Sequence, residues 1–515
     1  MSTSNLSVRR FGGGSVWHSF IDEIKRIRAA LHSPGPGPLW SKELDYVPSS
    51  AKRWQNWAGN QRARPADPRC PQDETGVIDE IKKHAGRQIR VLGAGYSFSP
   101  LVPADDCILD VSDMTRCSVD KASRTVTAGP GTTISQMHRA LVRDGLCLET
   151  APVIPWVTVG GALGTGVHGA GRSFGTLSDL VVAARAVDAK GDVHVVAGPK
   201  GDNLTDEGRA LGCNLGAIGV VTSVTFQAVD LFCLEVKDDT RNYWLETTML
   251  DRDGLRSLLT EAEYFSALWW PGTERCWIKK SKRTAKPPTT TRAQYFLEQL
   301  GVALGATPVT WIGKVLAEHP DWTPIFTALL FDAIRHQEYV SPAPDAFHFL
   351  TRYPKVWDMQ FAFDVEGNSD RGIDRVVNAW KILVRKLDER RSRGEFPLNM
   401  AVHMRQIGSS NSLLSPANGH NGSVAVEIVT LHGQQEKVWA PFFGEIEKEW
   451  LDLGGRPHWG KIHGWNNAGG SPQNPDQLAT ILRSYGSNVD AFRKVRQEWD
   501  PQRLFRNRYT DALGL

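Results

Sequence analysis

The chain has 515 residues, of which 41% are hydrophobic, enough for two to four domains around a large core. Its 60 basic and 57 acidic residues leave a formal net charge of only +3, which excludes a strong field for nucleic acid or anionic membranes. The seven cysteines are scattered without a C-x-x-C pair, which argues against a disulfide framework or a zinc site. We therefore expect no nucleic-acid partner and no metal.

The N-terminal region predicts an extension of the main fold. Residues 17–32 place apolar residues at helical spacing, and the proline–glycine run at 33–38 ends the pattern, so residues 1–50 are expected to form a helix and a linker. This region has no apolar core of signal-peptide length, and no window of about 18 apolar residues occurs along the chain. We expect a cytoplasmic protein without stable membrane insertion.

From residue 51 to 238 the pattern changes to short strands and glycine-rich turns. Strands are predicted at 89–92, 107–114 and 219–229, a helix is predicted to start near Thr133, and a hairpin is predicted over 181–196. This mixture indicates an α+β domain.

A second region extends from 239 to 455. It contains further strand patterns and three longer helical patterns, over 292–304, 321–335 and 370–391. The strand patterns are "SALWWPG", "WDMQFAFDV", "LNMAVHMRQI" and "SVAVEIVTL". A last segment, 456–515, ends in a predicted helix followed by a polar turn.

Two glycine clusters are candidates for ligand binding. "GAGYSFS" (93–99) follows a predicted strand, but the third glycine of a dinucleotide fingerprint would fall at Phe98, so that interpretation fails. A nest of backbone N–H groups around a phosphate or pyrophosphate is the alternative. The second cluster, 158–175, contains seven glycines. Two ordinary glycine-rich loops remain a possible interpretation at this point.

The order of these motifs resembles a known family. "GAGYSFSP", "ILDVSDM", "VTAGPGTTISQMHRAL" and "LGAIGVVTSVTF" resemble the PCMH-type FAD-binding domain of the vanillyl-alcohol-oxidase flavoproteins. "LWWPGTERCWI", "MQFAFDV", "MRQIGSSNSLLSP", "RPHWGK" and "DPQRLFRN" resemble the branch that contains L-gulonolactone oxidase, D-arabinonolactone oxidase and alditol oxidase.

This resemblance implies an α+β fold in three parts. They are a two-subdomain FAD-binding domain over 51–238, a substrate or cap domain with an antiparallel sheet and flanking helices over 239–455, and a C-terminal segment over 456–515 that closes over the flavin.

The resemblance also assigns residues to FAD. The first loop is expected to wrap the pyrophosphate through Gly93, Ala94, Gly95, Tyr96, Ser97, Phe98 and Ser99. The second cluster is expected to pass beside the isoalloxazine and ribityl chain through Gly160, Gly161, Thr165, Gly166, Val167, His168, Gly169 and Gly171. Val220 is expected on the adenine side and His458 near the flavin. For His168 and His458, a satisfied interior histidine is the alternative.

Tyr96 bears on how the cofactor is attached. Many relatives have a histidine at this place in the loop, and that histidine bonds covalently to the flavin 8-methyl carbon. A phenol, whose pKa is about 10, is a poor match for that linkage. We therefore expect FAD to be bound noncovalently.

The strand "AVHMRQI" carries the main catalytic candidates. His403 and Arg405 alternate along it and so share one face. The branch normally has Glu and Arg here, so Arg405 is expected to support the reduced flavin and His403 to act as a general base. On the next strand, Glu427 stands where relatives often have His, which suggests a His403/Glu427 proton-relay pair. An exposed glutamate at a sheet edge is the alternative.

The substrate follows from these residues less directly. Lys461 is kept and is expected beside substrate and flavin, whereas Gln360 stands where relatives often have Glu. The expected activity is oxidation of a CH–OH group in a sugar lactone, polyol or related alcohol by hydride transfer to flavin N5, with O2 or another acceptor reoxidising the flavin. Oxidative cyclisation or desaturation of a bulkier substrate is the main alternative, and a noncatalytic flavin-binding protein is a third. Four tryptophans are candidates for contacting a bulky substrate: Trp269, Trp270, Trp277 and Trp357.

Overall fold

The computed structural model describes residues 53–200, 204–289, 307–332, 334, 336–348, 355–464 and 475–515, together with Asp22. The helix expected over 292–304 and, apart from Asp22, the extension expected over 1–50 lie outside the described residues. Within the described part of the chain, no helix is both long and apolar enough to cross a bilayer.

The chain begins with a small layer built on a parallel strand pair. Its elements are β1 (Trp54–Gln55), β2 (Arg62–Ala63), α1 (Glu74–Lys83), β3 (Ile89–Leu92) and β4 (Cys107–Asp110). β3 and β4 pair in parallel, and β1 and β2 form a short antiparallel pair. Val77 and Ile81 of α1 pack on Ile89 and Leu109, which gives this layer its own core.

A five-stranded antiparallel sheet follows. The next elements are β5 (Cys117–Asp120), β6 (Thr125–Ala128), α2 (Ile134–Arg143), β7 (Leu146–Cys147), α3 (Val159–Thr165), β8 (Val181–Val187), β9 (Val193–Ala197), α4 (Asp206–Leu211), β10 (Val220–Gln227) and β11 (Val229–Asp230). The strand order is β5-β6-β10-β8-β9, with β7 and β11 paired separately. The predicted hairpin is confirmed, and α2 begins at a capping box on Thr133, as expected. The predicted strands are present but shorter, because β4 ends at Asp110 rather than at 114 and β10 ends at Gln227. We call residues 53–230 the first domain.

An eight-stranded antiparallel sheet forms the second half. Its elements are β12 (Cys233–Asp239), α5 (Leu245–Thr248), α6 (Arg252–Glu261), β13 (Tyr264–Trp269), β14 (Cys276–Thr284), α7 (Thr307–Glu318), α8 (Thr323–Asp332), β15 (Gln337–Pro342), α9 (Ala343–Phe347), β16 (Val356–Asp364), α10 (Asp370–Arg391), β17 (Val402–Ile407), β18 (Ser423–Leu431), α11 (Glu436–Asp452) and β19 (Arg456–Pro457). The order is β15-β12-β14-β13-β17-β18-β16-β19. β12 joins this sheet although it precedes the expected boundary at 239.

The expected pattern of a sheet with flanking helices is observed. α10 has the predicted bounds of 370–391 and packs against α6, α11 and β16. Every residue of β17 and β18 is buried. Strands covered on both faces carry apolar residues almost continuously, so a polar residue on them needs a partner.

The C-terminal segment returns to the first domain. Its helices are α12 (Pro475–Arg483), α13 (Ser487–Trp499) and α14 (Arg508–Ala512). Leu504 and Phe505 pack with Ile89 in the core of the first layer, and Ile89 N donates to Leu504 O at 2.9 Å. The end of the chain is therefore part of the first domain's packing.

The Arg90 side chain forms hydrogen bonds that connect the first domain with the C-terminal segment. The side chain is buried inside β3 and donates to four backbone carbonyls at 2.5–2.8 Å, those of Leu101, Leu215, Gly216 and Phe505. Burial lowers the pKa of Arg90 to about 10, so the guanidinium keeps its charge at neutral pH. One side chain thus connects three distant segments of the chain.

We predict that Arg90→Lys lowers the free energy of unfolding by about 2–4 kcal/mol, because an ammonium has three donors for four buried carbonyls. Chemical denaturation followed by circular dichroism measures the loss. The matched control is Arg87→Lys, because the Arg87 side chain is 45% exposed and lies 3.8 Å from its acidic neighbour Asp106. That variant is expected to change stability by less than about 0.5 kcal/mol. Equal losses in both variants would contradict the role of Arg90.

Candidate functional site

A single cavity lies between the first domain and the eight-stranded sheet, and both glycine clusters line it. The first loop contributes all of Gly93, Ala94, Gly95, Tyr96, Ser97, Phe98 and Ser99. The second cluster contributes Gly160, Gly161, Thr165, Val167 and His168. The sheet and the C-terminal segment contribute His403, Arg405, Glu427, His458 and Lys461. The tertiary structure thus brings sequence-predicted residues from five separate stretches together.

The first loop is held by backbone and side-chain groups of the residues that precede it. Gly95 O accepts from Trp57 N at 2.8 Å, and Ser97 O accepts from Asn56 Nδ2 at 2.9 Å. Phe98 O accepts from the amide side chains of Asn60 and Gln61 at 2.9 and 3.1 Å. Sequence reasoning missed this support, although the polar run at 56–61 ahead of the loop is a usable signal.

The two glycine clusters press against each other. A Cβ on Gly93 would lie 2.4 Å from Oγ1 of Thr158, so a larger residue cannot stand there without displacing the second cluster. Thr158 also caps α3, which shows that the second cluster is helical over Val159–Thr165 and a loop only after it.

Three glycines that were expected to bind the cofactor do not line the cavity. Local packing and backbone geometry explain why glycine occurs at these positions. Gly166 ends α3 with φ of +66°, a conformation that favours glycine. A Cβ on Gly169 would lie 2.3 Å from Ala151 O. Gly171 N donates to Gln406 O of β17 at 2.8 Å, which fastens the cluster to the large sheet.

Val220 likewise points away from the cavity. Its side chain packs with the core of the first layer, while its near neighbours Gly219 and Val221 line the cavity. An expected contact through the backbone near Val220 stays a prediction.

The described part of the cavity fits a long anionic cofactor such as FAD. No carboxylate occurs among the lining residues of the first domain, and Arg90 places a buried positive charge there. Sequence reasoning missed Arg90, although an arginine inside the apolar strand "IRVL" is a signal. Eight glycines line the cavity and let backbone approach closely: Gly93, Gly95, Gly160, Gly161, Gly164, Gly216, Gly219 and Gly460.

Aromatic rings form one side of the cavity. Tyr96 stacks on Trp57 with ring centroids 5.5 Å apart, and Trp156 lies 6.4 Å from Tyr96. Tyr96 therefore packs within an aromatic group at the tip of the first loop.

The four tryptophans considered for a bulky substrate lie elsewhere. Trp269, Trp270 and Trp277 belong to the buried core, and Trp357 stacks on Trp439 at 4.9 Å. None of the four is among the described lining residues. They therefore give no support to a bulky substrate.

Polar side chains of three neighbouring strands meet at the other end of the cavity. Gln360 of β16, Glu427 of β18 and His403 of β17 are direct cross-strand partners and so share a face. Asp358 and Arg405 lie on the same face, two residues along β16 and β17. Sequence reasoning did not select Asp358, although an acid inside "WDMQFAFDV" is a detectable anomaly.

Glu427 is the centre of this group. Its Oε2 accepts from Arg405 Nη2 at 2.5 Å, its Oε1 accepts from Lys461 Nζ at 2.8 Å, and His403 Nδ1 lies 3.5 Å from Oε2. The alternative of an exposed edge glutamate is excluded, because β18 is an interior strand and Glu427 is 4% exposed.

Burial and charge set the protonation states here. Burial, with a smaller contribution from Arg405, lowers the pKa of His403 to about 4, so the ring is neutral at pH 7. Its Nε2 is buried and has no hydrogen-bond partner in the part of the chain that the structure describes. Burial alone raises the pKa of Glu427, but the charges of Lys461 and Arg405 hold it well below its usual range. The ring is therefore in the unprotonated state that a base requires, and the Glu427 carboxylate beside it favours protonation, although a pKa of about 4 makes the ring a weaker base than a free imidazole.

The two other histidines of the cavity are fixed and neutral. His168 Nδ1 donates to Gly169 O at 2.9 Å and its Nε2 accepts from the Gln360 side chain. His458 Nδ1 accepts from Gly460 N at 3.0 Å. Burial lowers the pKa of His168 to about 3 and that of His458 well below its usual range. Both nitrogens of His168 are therefore paired with protein groups, whereas the structure shows a partner only for Nδ1 of His458, and both rings line the cavity.

Comparisons with known proteins agree with this geometry. The family model "FAD binding domain" matches residues 68–197, and the model "D-arabinono-1,4-lactone oxidase" matches residues 224–513, more than half of the chain.

Curated relatives match over most of their length. An L-gulono-1,4-lactone dehydrogenase of Mycobacterium tuberculosis is 26% identical over 89% of this chain and 98% of the relative. An L-gulonolactone oxidase of Scyliorhinus torazame is 26% identical over 89% of this chain and 97% of the relative. A long-chain alcohol oxidase of an uncultured marine euryarchaeote is 23% identical over 89% and 96%.

A solved structure shows the same fold. Cholesterol oxidase from B. sterolicum superimposes with a TM-score of 0.75 at 18% identity, covering 93% of this chain and 99% of that one. The family matches, together with a cavity that fits FAD, lead to one conclusion. The chain is an FAD-dependent oxidoreductase and belongs to the D-arabinono-1,4-lactone oxidase family.

Proposed function

We propose that the enzyme oxidises a CH–OH group of a sugar lactone, polyol or related alcohol, with His403 as the base that takes the hydroxyl proton. The observation that carries the proposal concerns Nε2 of His403, a residue that lines the cavity. This atom is buried and has no hydrogen-bond partner among the described residues. FAD, when bound, accepts the hydride from the adjacent carbon at N5 and is reoxidised by O2 or another acceptor.

Glu427 supports His403 in this role. With a proton on Nδ1, the ring directs that N–H toward Glu427 Oε2, 3.5 Å away, and leaves Nε2 as the acceptor. When Nε2 takes a proton, the carboxylate stabilises the resulting imidazolium. Lys461 and Arg405 are held against Glu427, so positive charge also faces any negative charge that develops in the cavity.

The cofactor-binding residues form the second part of the proposal. The first loop holds the FAD pyrophosphate, α3 and the loop after it pass beside the flavin, and backbone near Val220 contacts the adenine side. Among the described residues, the first-domain lining has no carboxylate and includes the positively charged Arg90. Nothing there repels a pyrophosphate, which supports placing that group at the first loop.

The relatives support the substrate class and leave the acceptor open. Two are named for gulonolactone, one as a dehydrogenase and one as an oxidase, and another is named for a long-chain alcohol. The charged end of this cavity favours a hydroxyl-rich substrate over an alkyl chain.

We predict that His403→Ala slows anaerobic flavin reduction by about 10²–10⁴-fold, because a positioned general base contributes that much. Stopped-flow absorbance with a lactone or polyol that bleaches the flavin measures the rate. The rate in the unmodified enzyme is expected to stay constant as the pH falls from 8 to 5 and to drop near pH 4, where the neutral base is lost.

His194→Ala is the control, because His194 stacks on Trp499 away from the cavity. It is expected to leave the reduction rate unchanged. His403 would not be the base if the reduction rate of the unmodified enzyme fell with a midpoint near pH 6.5, or if His403→Ala left that rate unchanged.

We also predict that acid precipitation releases all of the FAD into the supernatant, because Tyr96 stands where many relatives have the histidine that bonds the flavin, and a phenol is mostly un-ionised at neutral pH. Absorbance of supernatant and pellet at the flavin maximum measures the distribution. A carrier protein without its own flavin, mixed with FAD and precipitated in the same way, shows how much free FAD is trapped in a protein pellet. A pellet that stays yellow after washing in denaturant would show a covalent bond.

A further inference from the structure

Two cavity-lining side chains carry a buried polar atom without a partner in the described structure. One is Nε2 of His403, the proposed base, and the other is Oδ1 of Asp358. A buried polar atom without a partner costs free energy, so such an atom beside a cavity indicates a ligand group or a bound water that completes it. Nothing in the proposed proton transfer uses Asp358.

The neighbouring charges are already satisfied. Lys461 donates to both Asp358 Oδ2 and Glu427 Oε1, and Glu427 Oε2 is occupied by Arg405. Both oxygens of Glu427 are thus in ion pairs, whereas Oδ1 of Asp358 has no partner within the described residues. Of the two acids, Asp358 therefore has the greater unmet need for a hydrogen-bond partner.

Either protonation state of Asp358 suits a hydroxyl. Burial, followed by the nearby charge of Glu427, raises the pKa of Asp358 well above its usual range, and a side-chain hydrogen bond with Glu427 acts in the same direction. A protonated carboxyl can donate a hydrogen bond, and an ionised one can only accept. A substrate hydroxyl can pair with either form, because it is both a donor and an acceptor.

The strand geometry places Asp358 at a distance from His403, the proposed base. β16 and β17 flank β18, and Asp358 lies two residues from Gln360, the residue in register with Glu427 and His403. Strand spacing and rise place the Cα atoms of Asp358 and His403 about 12 Å apart. The side chains of Asp358 and His403 can therefore contact one small molecule at two different oxygens, which are separated by several bonds of that molecule.

We propose that Asp358 determines substrate specificity by hydrogen-bonding, through Oδ1, a second hydroxyl several bonds from the carbinol that His403 deprotonates. This inference rests on the proposed function and extends it to a polyhydroxy substrate. A water molecule on Oδ1 is the competing occupant, and the experiment distinguishes the two.

The experiment compares xylitol with 1-pentanol, which has the same number of carbons and a single hydroxyl. Asp358→Ala is expected to lower kcat/KM for xylitol by about tenfold to hundredfold, mainly through KM, because a hydrogen bond to a polar substrate group is lost. For 1-pentanol the change is expected to stay below about threefold. Asp358→Asn keeps a polar atom at this place and is expected to recover part of the loss.

Asp239→Ala is the matched control, since Asp239 is a buried carboxylate of the same sheet that accepts from Arg241 N outside the cavity. It is expected to change neither substrate's kcat/KM. Equal losses for xylitol and 1-pentanol in Asp358→Ala would indicate an effect through Lys461, and no loss for xylitol would indicate only a water; each overturns the inference.

Binding separates this inference from the proposed function. If neither alcohol reduces the flavin, isothermal titration of xylitol into the holoenzyme and into Asp358→Ala gives the answer. Weaker binding in the variant supports Asp358 while the proposed oxidation of this polyol fails. Equal affinity, or no binding to either protein, overturns the role of Asp358.

Discussion

Glu427 is a buried carboxylate in the interior of an apolar sheet, and the arrangement around it follows from the need to compensate its charge. A buried charge is tolerated only when it is paired and hydrogen-bonded. Arg405 and Lys461 provide that compensation on opposite oxygens, and both are thereby fixed beside the cavity. His403 lies next to the same carboxylate but makes the weakest contact with it, which leaves its Nε2 available.

The same constraint explains why the charged end of the cavity joins the C-terminal segment to three strands of the large sheet. Lys461 comes from the C-terminal segment, and the other charged groups come from β16, β17 and β18. His458 N donates to Gln360 O and Ile462 N to Asp358 O, so backbone bonds hold that segment on β16. The C-terminal segment also supplies the Phe505 carbonyl to Arg90. One segment therefore contacts both the charged end of the cavity and the end suited to the cofactor.

The sequence predicted more of the fold than of the site's chemistry. Strand and helix patterns such as 181–196 and 370–391 are local, and the structure has elements at both places. No strand was predicted over 233–239, yet β12 forms there and pairs with β14 and β15, because strand pairing is decided by distant partners. Glu427 read equally well as an exposed edge residue, since alternation along one strand does not reveal what covers its faces.

The sequence by itself placed two glycine clusters and put His403 and Arg405 on one face of a strand, because glycine runs and residue alternation are local properties. The FAD-binding fold was implied by the resemblance of the motifs, "RPHWGK" with Lys461 among them, to a known family. Only the tertiary structure decided that Arg90 bonds four carbonyls and that Asp358 keeps an unpartnered oxygen. Those facts depend on which distant groups meet in the interior. Burial there also sets the protonation state of His403, which no stretch of sequence specifies.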